Sequence, residues 1–333
     1  MHSIQLYPFR FEPIYQYRLW GGRRLAKFFS APLPGDDPIG EAWLLSDRED
    51  QQSLVADGPL RGMSIAQLLK DSPEDLLGKL AGKFVRFPLL LKFLDVKKAL
   101  SVQVHPPDTE TELLPVGETG KTEAWVVLEV GSESHIYAGL TADTTRETLQ
   151  QAILNRTVAD CLAGFTPKPG ESILIQAGTV HSLKDIVVFE VQENSDVTFR
   201  LDDWNHVDPK TGNPRPLQID QAMACINFSR GEIELFPALV EMKEPQLRER
   251  VILCDHFGVW RVSGTTPFTV GKTAMPRVIV CLSGQGYLEY SGTHYDFRQG
   301  DVLLLPAVVG VCWCQPDGAV CLLEISLPEF YNR

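Results

Sequence analysis

The chain has 333 residues, of which 44% are hydrophobic, and it carries a formal net charge of -12 at pH 7. This length exceeds the usual size of one domain, so the sequence predicts two domains with sizeable cores. The acidic balance excludes general binding to nucleic acid or to an anionic membrane, because both need basic surfaces.

The cysteines and the first residues indicate a reducing compartment. Seven cysteines without a CxxC pair do not form a disulfide framework, and the start MHSIQLYPFRFEP lacks the apolar core of a signal peptide. No run approaches the roughly 18 apolar residues that a membrane-spanning helix requires. We therefore expect a cytoplasmic protein with no membrane and no nucleic-acid partner.

The first part of the chain alternates strand and helix patterns. Residues 4–20 and the segment IGEAWLLSDRED alternate as strands do, and Glu41 is a candidate site residue on the second of them. The spacing of leucines in MSIAQLLKDSPEDLLGKLAG predicts two short helices at about 64–80. FPLLLKFLDV then predicts a buried strand, in which Lys92 either extends outward or points into a polar cavity.

The next stretch, ALSVQVHPPDTETELLPVGETGKTEAW, contains residue types that bind metal ions. Alternation in SVQV places Ser101, Gln103 and His105 on one face of a strand, and the two prolines after His105 end that strand. A loop leads back to a second strand at TEAWVVLEV, which can bring Glu123 beside His105. Imidazole nitrogen with amide and carboxylate oxygen suits a divalent ion.

A fourth candidate ligand lies in KPGESILIQAGTVHSL, where two turns flank a short apolar strand and deliver His181. This pattern resembles the second half of the metal motif of cupin barrels. The predicted metal site therefore contains Gln103, His105, Glu123 and His181. A core histidine held by hydrogen bonds is the alternative for either histidine taken alone.

The segments on either side of the His181 motif add a helix and a polar strand. TADTTRETLQQAILNRTVADCLAG has the capping and spacing of a helical insertion at about 141–163. VVFEVQENSDVTFRLDDW places Glu190, Gln192 and Asn194 on one face and continues to Arg200. Polar residues on a strand that lines a barrel indicate a water-filled cavity.

The C-terminal part repeats the plan of the first half. After a connecting run that we expect to reach about residue 250, the segment from Gly300 to Pro306 matches GESILIQ beginning at Gly170, and this alignment places Val311 where His181 stands. The second barrel should therefore bind no metal and act by packing against the first. The predicted fold is mainly β, with two cupin domains (jelly-roll-like β-barrels) at 1–235 and 236–333 and a small helical insertion.

The motifs LSVQVHP, GKTEAW, AGTVHSL and QENSDVTFRLDDW together resemble type I mannose-6-phosphate isomerases (phosphomannose isomerases) of the short bacterial form. The resemblance implies an enzyme that interconverts mannose 6-phosphate and fructose 6-phosphate and holds one zinc ion per chain. Carried over to this sequence, the zinc ligands are Gln103, His105, Glu123 and His181. The implied substrate-binding residues are Ser101, Lys92, Lys121 and Glu41. The implied catalytic residues are Arg200, Glu190 and Lys121. Leu183 departs from the tyrosine of longer members, and Pro107 is inserted after the HP pair.

The chemistry of aldose–ketose isomerisation is compatible with these residue types. A proton moves between adjacent carbons through an enediolate, so the site needs a base, stabilisation of a growing negative charge and an anchor for the phosphate. The base is left open between Glu190 and Lys121. Two alternatives are a bicupin metal-dependent dioxygenase and a non-catalytic sugar-binding cupin. The expected partner is a sugar phosphate, and the expected assembly is a monomer or a weak homodimer.

Overall fold

The structure is a computed structural model, and it describes residues 5–329. Most of the regular structure is β. The strands are β1 (Phe9–Arg10), β2 (Ile14–Gly22), β3 (Ile39–Leu45), β4 (Asp47–Arg48), β5 (Gln51–Gln52), β6 (Leu89–Val96), β7 (Val102–Val104), β8 (Glu123–Leu140), β9 (Leu162–Phe165), β10 (Ser172–Ile175), β11 (His181–Glu193), β12 (Phe199–Asp202), β13 (Leu239–Met242), β14 (Leu247–Leu253), β15 (Gly258–Gly264), β16 (Phe268–Gly271), β17 (Arg277–Ser283), β18 (Gln285–Tyr290), β19 (Thr293–Arg298), β20 (Val302–Leu305), β21 (Val311–Pro316) and β22 (Val320–Ser326).

The helices are short and lie between strands. The α-helices are α1 (Ile65–Asp71), α2 (Pro73–Leu77), α3 (Arg146–Asn155) and α4 (Ile219–Cys225), with 3₁₀ turns at Arg24–Lys27, Gly78–Leu80 and Val158–Cys161. Ser64 begins α1 by accepting a hydrogen bond from the Gln67 N–H, and Thr145 begins α3 with a reciprocal capping box. α1, α2 and α3 lie within the two ranges that the sequence predicts as helical. No helix within residues 5–329 has the length and apolar character needed to cross a membrane.

The strands form two large sheets and two small ones. The first large sheet has the order β10-β8-β11-β6-β2-β3, with β7, β9 and β12 attached to it, and the second has the order β1-β20-β17-β22-β15-β14-β13. β16, β21, β18 and β19 form a four-stranded sheet, and β4 pairs with β5. The predicted mainly-β fold is confirmed. The domain boundary near residue 235 stays a prediction. The N-terminal strand β1 pairs with β20 of the second large sheet, so that Phe9 lies opposite Leu304.

The first large sheet curls because its two longest strands are irregular. β11 pairs with β8 through two register shifts, and such bulges increase local twist and bend a strand. At its start, His181 lies opposite both Gln103 of β7 and Ala138 of β8. The curl therefore brings strand ends that are distant in sequence to one place.

Two apolar clusters support this arrangement. The larger one joins side chains of both large sheets, including Phe93 and Phe189 from the first and Val280 and Ile325 from the second. The other consists mostly of side chains from strands of the first large sheet and includes Trp125. The two sheets thus share a core, which fits the packing role expected for the second barrel.

One expectation about the connecting run is wrong. The sequence predicts a connecting run up to about residue 250, but β13 and the start of β14 lie before that residue. All four residues of β13 are exposed, so the segment lacks the alternation of buried and exposed residues that would identify a strand.

Candidate active site

Three side chains suited to metal binding converge at the strand ends of the curled sheet. His105 Nε2 lies 3.3 Å from Glu123 Oε2, and His181 Nε2 lies 3.4 Å from Glu123 Oε1. The two imidazole rings are 4.7 Å apart between centroids, and all three residues are buried. Their ligand atoms lie within 4.8 Å of one another, so one ion could contact all three.

Backbone carbonyls fix the tautomers of both histidines. His105 Nδ1 lies 2.9 Å from the carbonyl oxygen of Val197, and His181 Nδ1 lies 2.9 Å from that of Thr179. A carbonyl oxygen only accepts, so each Nδ1 carries the proton and each Nε2 keeps its lone pair. This is the arrangement that metal-binding histidines use, and the residues therefore fit a divalent ion.

Gln103 reaches the same place, but with its amide nitrogen. Gln103 Nε2 lies 3.2 Å from His181 Nε2, while its Oε1 accepts a hydrogen bond of 3.0 Å from Ser101 Oγ. Rotation of the amide about its terminal bond would exchange the two atoms and present Oε1 to a metal. Ser101 is fully buried behind Gln103, so the structure brings it beside a predicted ligand and not to the cavity surface.

Lys121 lies between two of the predicted ligands. Its Nζ is 2.7 Å from Glu123 Oε2 and 3.1 Å from His105 Nε2. Burial and the Lys121 charge lower the pKa of His105 to about 3, and burial lowers that of His181. Burial alone would raise the pKa of Glu123, but Lys121 and the two imidazoles lower it well below its usual value. The site therefore holds two neutral imidazoles and one carboxylate at neutral pH.

The loop before Lys121 is held by backbone contacts. The Lys121 N–H donates to the Pro106 carbonyl at 3.0 Å, and the Gly120 N–H donates to Asp108 Oδ1 at 2.9 Å. A Cβ on Gly120 would lie only 2.4 Å from the backbone nitrogen of Asp108. Glycine at this position allows the close approach that places Lys121 and Glu123 beside His105.

A polar cavity of about 370 Å³ adjoins the group, and Gln103 and Lys121 line it together with further predicted residues. Lys92 points into it: its Nζ lies 3.2 Å from Glu190 Oε1 and 3.8 Å from Glu41 Oε2. Trp125 Nε1 donates to Glu190 Oε2 at 2.9 Å. Burial and the charge of Glu123 raise the pKa of Glu190, although the nearby lysines oppose this.

Arg200 lines the same cavity from β12, where it pairs with Gln103 in the ladder. Its backbone N–H donates to Gln218 Oε1 at 3.2 Å, whereas its buried Nε makes no hydrogen bond with any residue in 5–329. Asp203, a carboxylate close to it in sequence, accepts a hydrogen bond of 2.8 Å from Arg215 Nε. The Arg200 guanidinium is therefore not used in an ion pair with Asp203.

The structure adds cavity residues that the sequence did not predict. Arg18 holds Glu41 with two hydrogen bonds of 2.9 and 3.2 Å, and Asp196 Oδ1 lies 4.0 Å from Lys92 Nζ. Burial would raise the pKa of Glu41, but Arg18 and Lys92 lower it to about 2. A charge within the aromatic alternation IYQYRLW is the signal that could have identified Arg18.

A second group of metal-binding residue types lies outside this site. Asp108, Glu193 and His256 bring ligand atoms within 4.8 Å of one another. Their contacts include a Glu193–His256 ion pair of 3.0 Å, and each carboxylate also accepts a backbone N–H. This group ties the C-terminal part of the chain to the loop that carries Lys121.

Comparisons with known proteins show which family the chain resembles. Residues 8–124 match the family model "Phosphomannose isomerase type I, catalytic domain". "Probable mannose-6-phosphate isomerase GmuF" of Bacillus subtilis is 34% identical over 309 residues, which cover 91% of this chain and 95% of that protein. "Mannose-6-phosphate isomerase ManA" of the same organism is 32% identical over 311 residues, covering 91% and 94%.

A solved structure extends the likeness to the whole fold. The crystal structure of the mannose 6-phosphate isomerase from Bacillus subtilis superposes with a TM-score of 0.87 at 27% identity, covering 96% of this chain and 99% of that one. The chain belongs to the type I phosphomannose isomerase family. The predictions of the family, of an isomerase and of a cupin-type fold are thereby confirmed.

Proposed function

We propose that the chain is a zinc-dependent isomerase that interconverts mannose 6-phosphate and fructose 6-phosphate through an enediolate. The observation that carries this proposal is the convergence of His105, Glu123 and His181 beside a cavity lined by basic side chains. These three residues, with Gln103 after amide rotation, would hold one ion. When bound, zinc would act as a Lewis acid toward the two oxygens of the reacting carbons.

Lys121 connects metal binding to substrate binding in this proposal. Its Nζ lies between Glu123 Oε2 and His105 Nε2, where a divalent ion would bind. A metal held by those two ligands would repel the Lys121 ammonium, because two cations repel each other at short distance, and this repulsion would favour a position of Lys121 in the cavity. There its ammonium can bind the substrate phosphate or take part in proton transfer.

The remaining roles follow from charge and burial. Lys92 is proposed to bind the phosphate together with Lys121, in competition with Glu190 at 3.2 Å, and Glu41 positions Lys92 from the other side. Arg200 would stabilise the negative charge that grows in the transition state. Glu190, whose pKa is raised by burial, is one candidate for the base, and Lys121 is the other.

The proposal also covers compartment and substrate class. All seven cysteines are free, which supports a reducing cytoplasm. The basic side chains of the cavity support an anionic sugar as substrate, while the net charge of -12 gives no support for a nucleic-acid partner. No observation on the structure favours the dioxygenase or the binding-module alternative.

The test combines metal analysis with a coupled assay. Purified protein should contain zinc and form fructose 6-phosphate from mannose 6-phosphate, and a chelator should remove both properties. His181→Ala should lose the metal and the activity. Changing a residue that only supports a ligand weakens metal binding roughly 10- to 100-fold, and losing a ligand itself weakens it further. His135→Ala is the matched control, because His135 lies outside the cavity against Tyr137. Unchanged metal content and activity in His181→Ala would refute the assignment, and iron with oxygen uptake would favour the dioxygenase.

A further inference from the structure

The second large sheet repeats the strand pairing of the first with different chemistry. In the first sheet Ile175 of β10 lies opposite Glu123 of β8. In the second sheet Leu305 of β20, the residue that matches Ile175 in the sequence repeat, lies opposite Arg277 of β17. Arg277 therefore occupies the position of the predicted metal ligand Glu123, and a cation replaces the carboxylate.

The neighbouring strands continue the same correspondence. Glu190 of β11 lies opposite Lys92 of β6, and Glu324 of β22 lies opposite Trp260 of β15. The carboxylate is kept at this position, while the lysine is replaced by an aromatic residue. The second barrel thus keeps a polar end at the place of the candidate active site, without a ligand set for a metal.

A separate cavity of about 420 Å³ lies at this polar end. Its wall includes six polar or aromatic side chains, those of Gln246, Arg248, Arg250, Trp260, Arg277 and Glu324. Arg248 binds Glu324 through two hydrogen bonds of 3.1 and 3.3 Å, and Arg277 Nε lies 3.4 Å from Glu324 Oε1. Trp260 Nε1 donates to Glu241 at 2.9 Å. The charges are thus largely balanced by one another.

Several polar atoms of this wall are buried but not hydrogen-bonded. Gln246 Oε1 has no hydrogen-bond partner among residues 5–329. Arg250 Nε and Arg277 Nε make no hydrogen bond there either, although they lie 3.6 Å from Glu241 Oε1 and 3.4 Å from Glu324 Oε1 as ion pairs. Gln246 is 7% exposed and Arg277 is 3% exposed, so neither side chain can exchange freely with bulk water. A buried polar atom without a partner is costly, and its presence beside a cavity points to a ligand that supplies the missing bonds.

We propose that this cavity binds a neutral polyhydroxylated ligand of the hexose class. Gln246 Oε1 is an acceptor without a donor, the two arginine Nε–H groups are donors that make no hydrogen bond, and a hydroxyl group can satisfy either kind. A phosphate would satisfy only the donors and would be repelled by Glu241 and Glu324. A divalent cation would meet Arg277 at the position where the first barrel has Glu123. Trp260 adds an apolar wall for the carbon face of a sugar ring.

The test reads binding at the cavity itself. The full chain is labelled with 5-fluorotryptophan, and the Trp260 resonance is assigned by its loss in Trp260→Phe. This resonance is then followed by ¹⁹F NMR during titration with D-mannose to roughly 100 mM, a concentration range that includes the weak affinities of small ligands. We expect a saturable shift with D-mannose and none with inorganic phosphate. Gln246→Leu should weaken binding by about 2- to 10-fold, the effect of one neutral hydrogen bond.

Two matched variants separate this site from binding elsewhere. Thr269 is exposed and lines the cavity, so Thr269→Phe should fill it and remove the D-mannose response. Thr293 is also an exposed strand threonine but does not line the cavity, and Thr293→Phe should respond like the unaltered chain. No Trp260 shift, an equal shift with phosphate, or an unchanged affinity in Thr269→Phe would overturn the inference. Isomerase activity should be unaltered in Thr269→Phe, so this result is independent of the proposed reaction.

Discussion

Replacement of Arg200 by alanine tests the charge-stabilising role directly. The guanidinium lines the candidate active-site cavity, and its buried Nε has no hydrogen-bond partner among residues 5–329. Removing it should therefore disturb the folded state little, because no ion pair with Asp203 is broken. If Arg200 binds an oxyanion that forms only in the transition state, its loss costs about 2.7–4 kcal/mol, which lowers kcat roughly 10²- to 10³-fold.

Steady-state kinetics on the zinc-loaded protein measures this effect. We expect KM to change little, since the interaction is made in the transition state and not with the bound substrate. Arg200→Lys should recover only part of kcat, because lysine keeps the charge but lacks the planar pair of donors.

The control is Arg146→Ala, which removes a guanidinium that donates to the Met223 carbonyl at 2.7 Å outside the cavity. This variant should keep kcat and lose some thermal stability. If Arg200→Ala raises KM while nearly keeping kcat, Arg200 does not stabilise the transition state but binds the phosphate of the ground state.

Three further predictions concern metal content, pH and the loop before Lys121. Metal analysis should give about one ion per chain, because Arg277 and Val311 stand where the second barrel would need a glutamate and a histidine. A second tightly bound ion that is lost when C-terminal residues are changed would contradict this prediction. Burial lowers the pKa of His256, but the carboxylate of Glu193 outweighs this effect and raises that pKa above the ordinary 6.5. The ion pair therefore stabilises the fold fully below a pH of about 6.5, and this stabilisation is lost as the pH rises through the raised pKa of His256 in the folded state. The difference in Tm between the unaltered chain and His256→Gln should therefore narrow as the pH rises through that range. A difference that widens would show that the stabilisation by His256 does not decrease with rising pH. Gly120→Ala should lower the free energy of unfolding in urea by about 1–3 kcal/mol and reduce activity, because the added Cβ meets the backbone of Asp108; unchanged stability would show that the loop can move without cost.

Local motifs identified much of the candidate site because the strand ends are encoded in short stretches. The prolines after His105 mark the end of one strand, and the turn before His181 marks the start of another. Both signals are visible in the sequence. The convergence of His105, Glu123 and His181 follows from these ends. Their distances to one another depend on the curl of the sheet, which the sequence does not specify.

Contacts between distant strands could not be predicted in this way. Arg18 binds Glu41 through the β2–β3 ladder, and Lys92 lies opposite both Trp43 and Glu190. Alternation assigns a face to each residue, but the register between two strands depends on bulges and loop geometry. For the same reason the sequence left open whether Lys92 extends outward or points into the cavity.

The pairing of β1 with β20 has a consequence for the order of folding. Phe9 is synthesised long before Leu304, yet the two lie opposite each other in one ladder. Since a ladder bond cannot form before both strands exist, this edge of the second sheet closes only after β20 has been synthesised. Until then Phe9 and Arg10 remain an unpaired strand edge beside a growing apolar core. A chaperone that covers Phe9 and Arg10 on the nascent chain would therefore protect an edge of the second large sheet, and not the first large sheet, which β2 and β3 join.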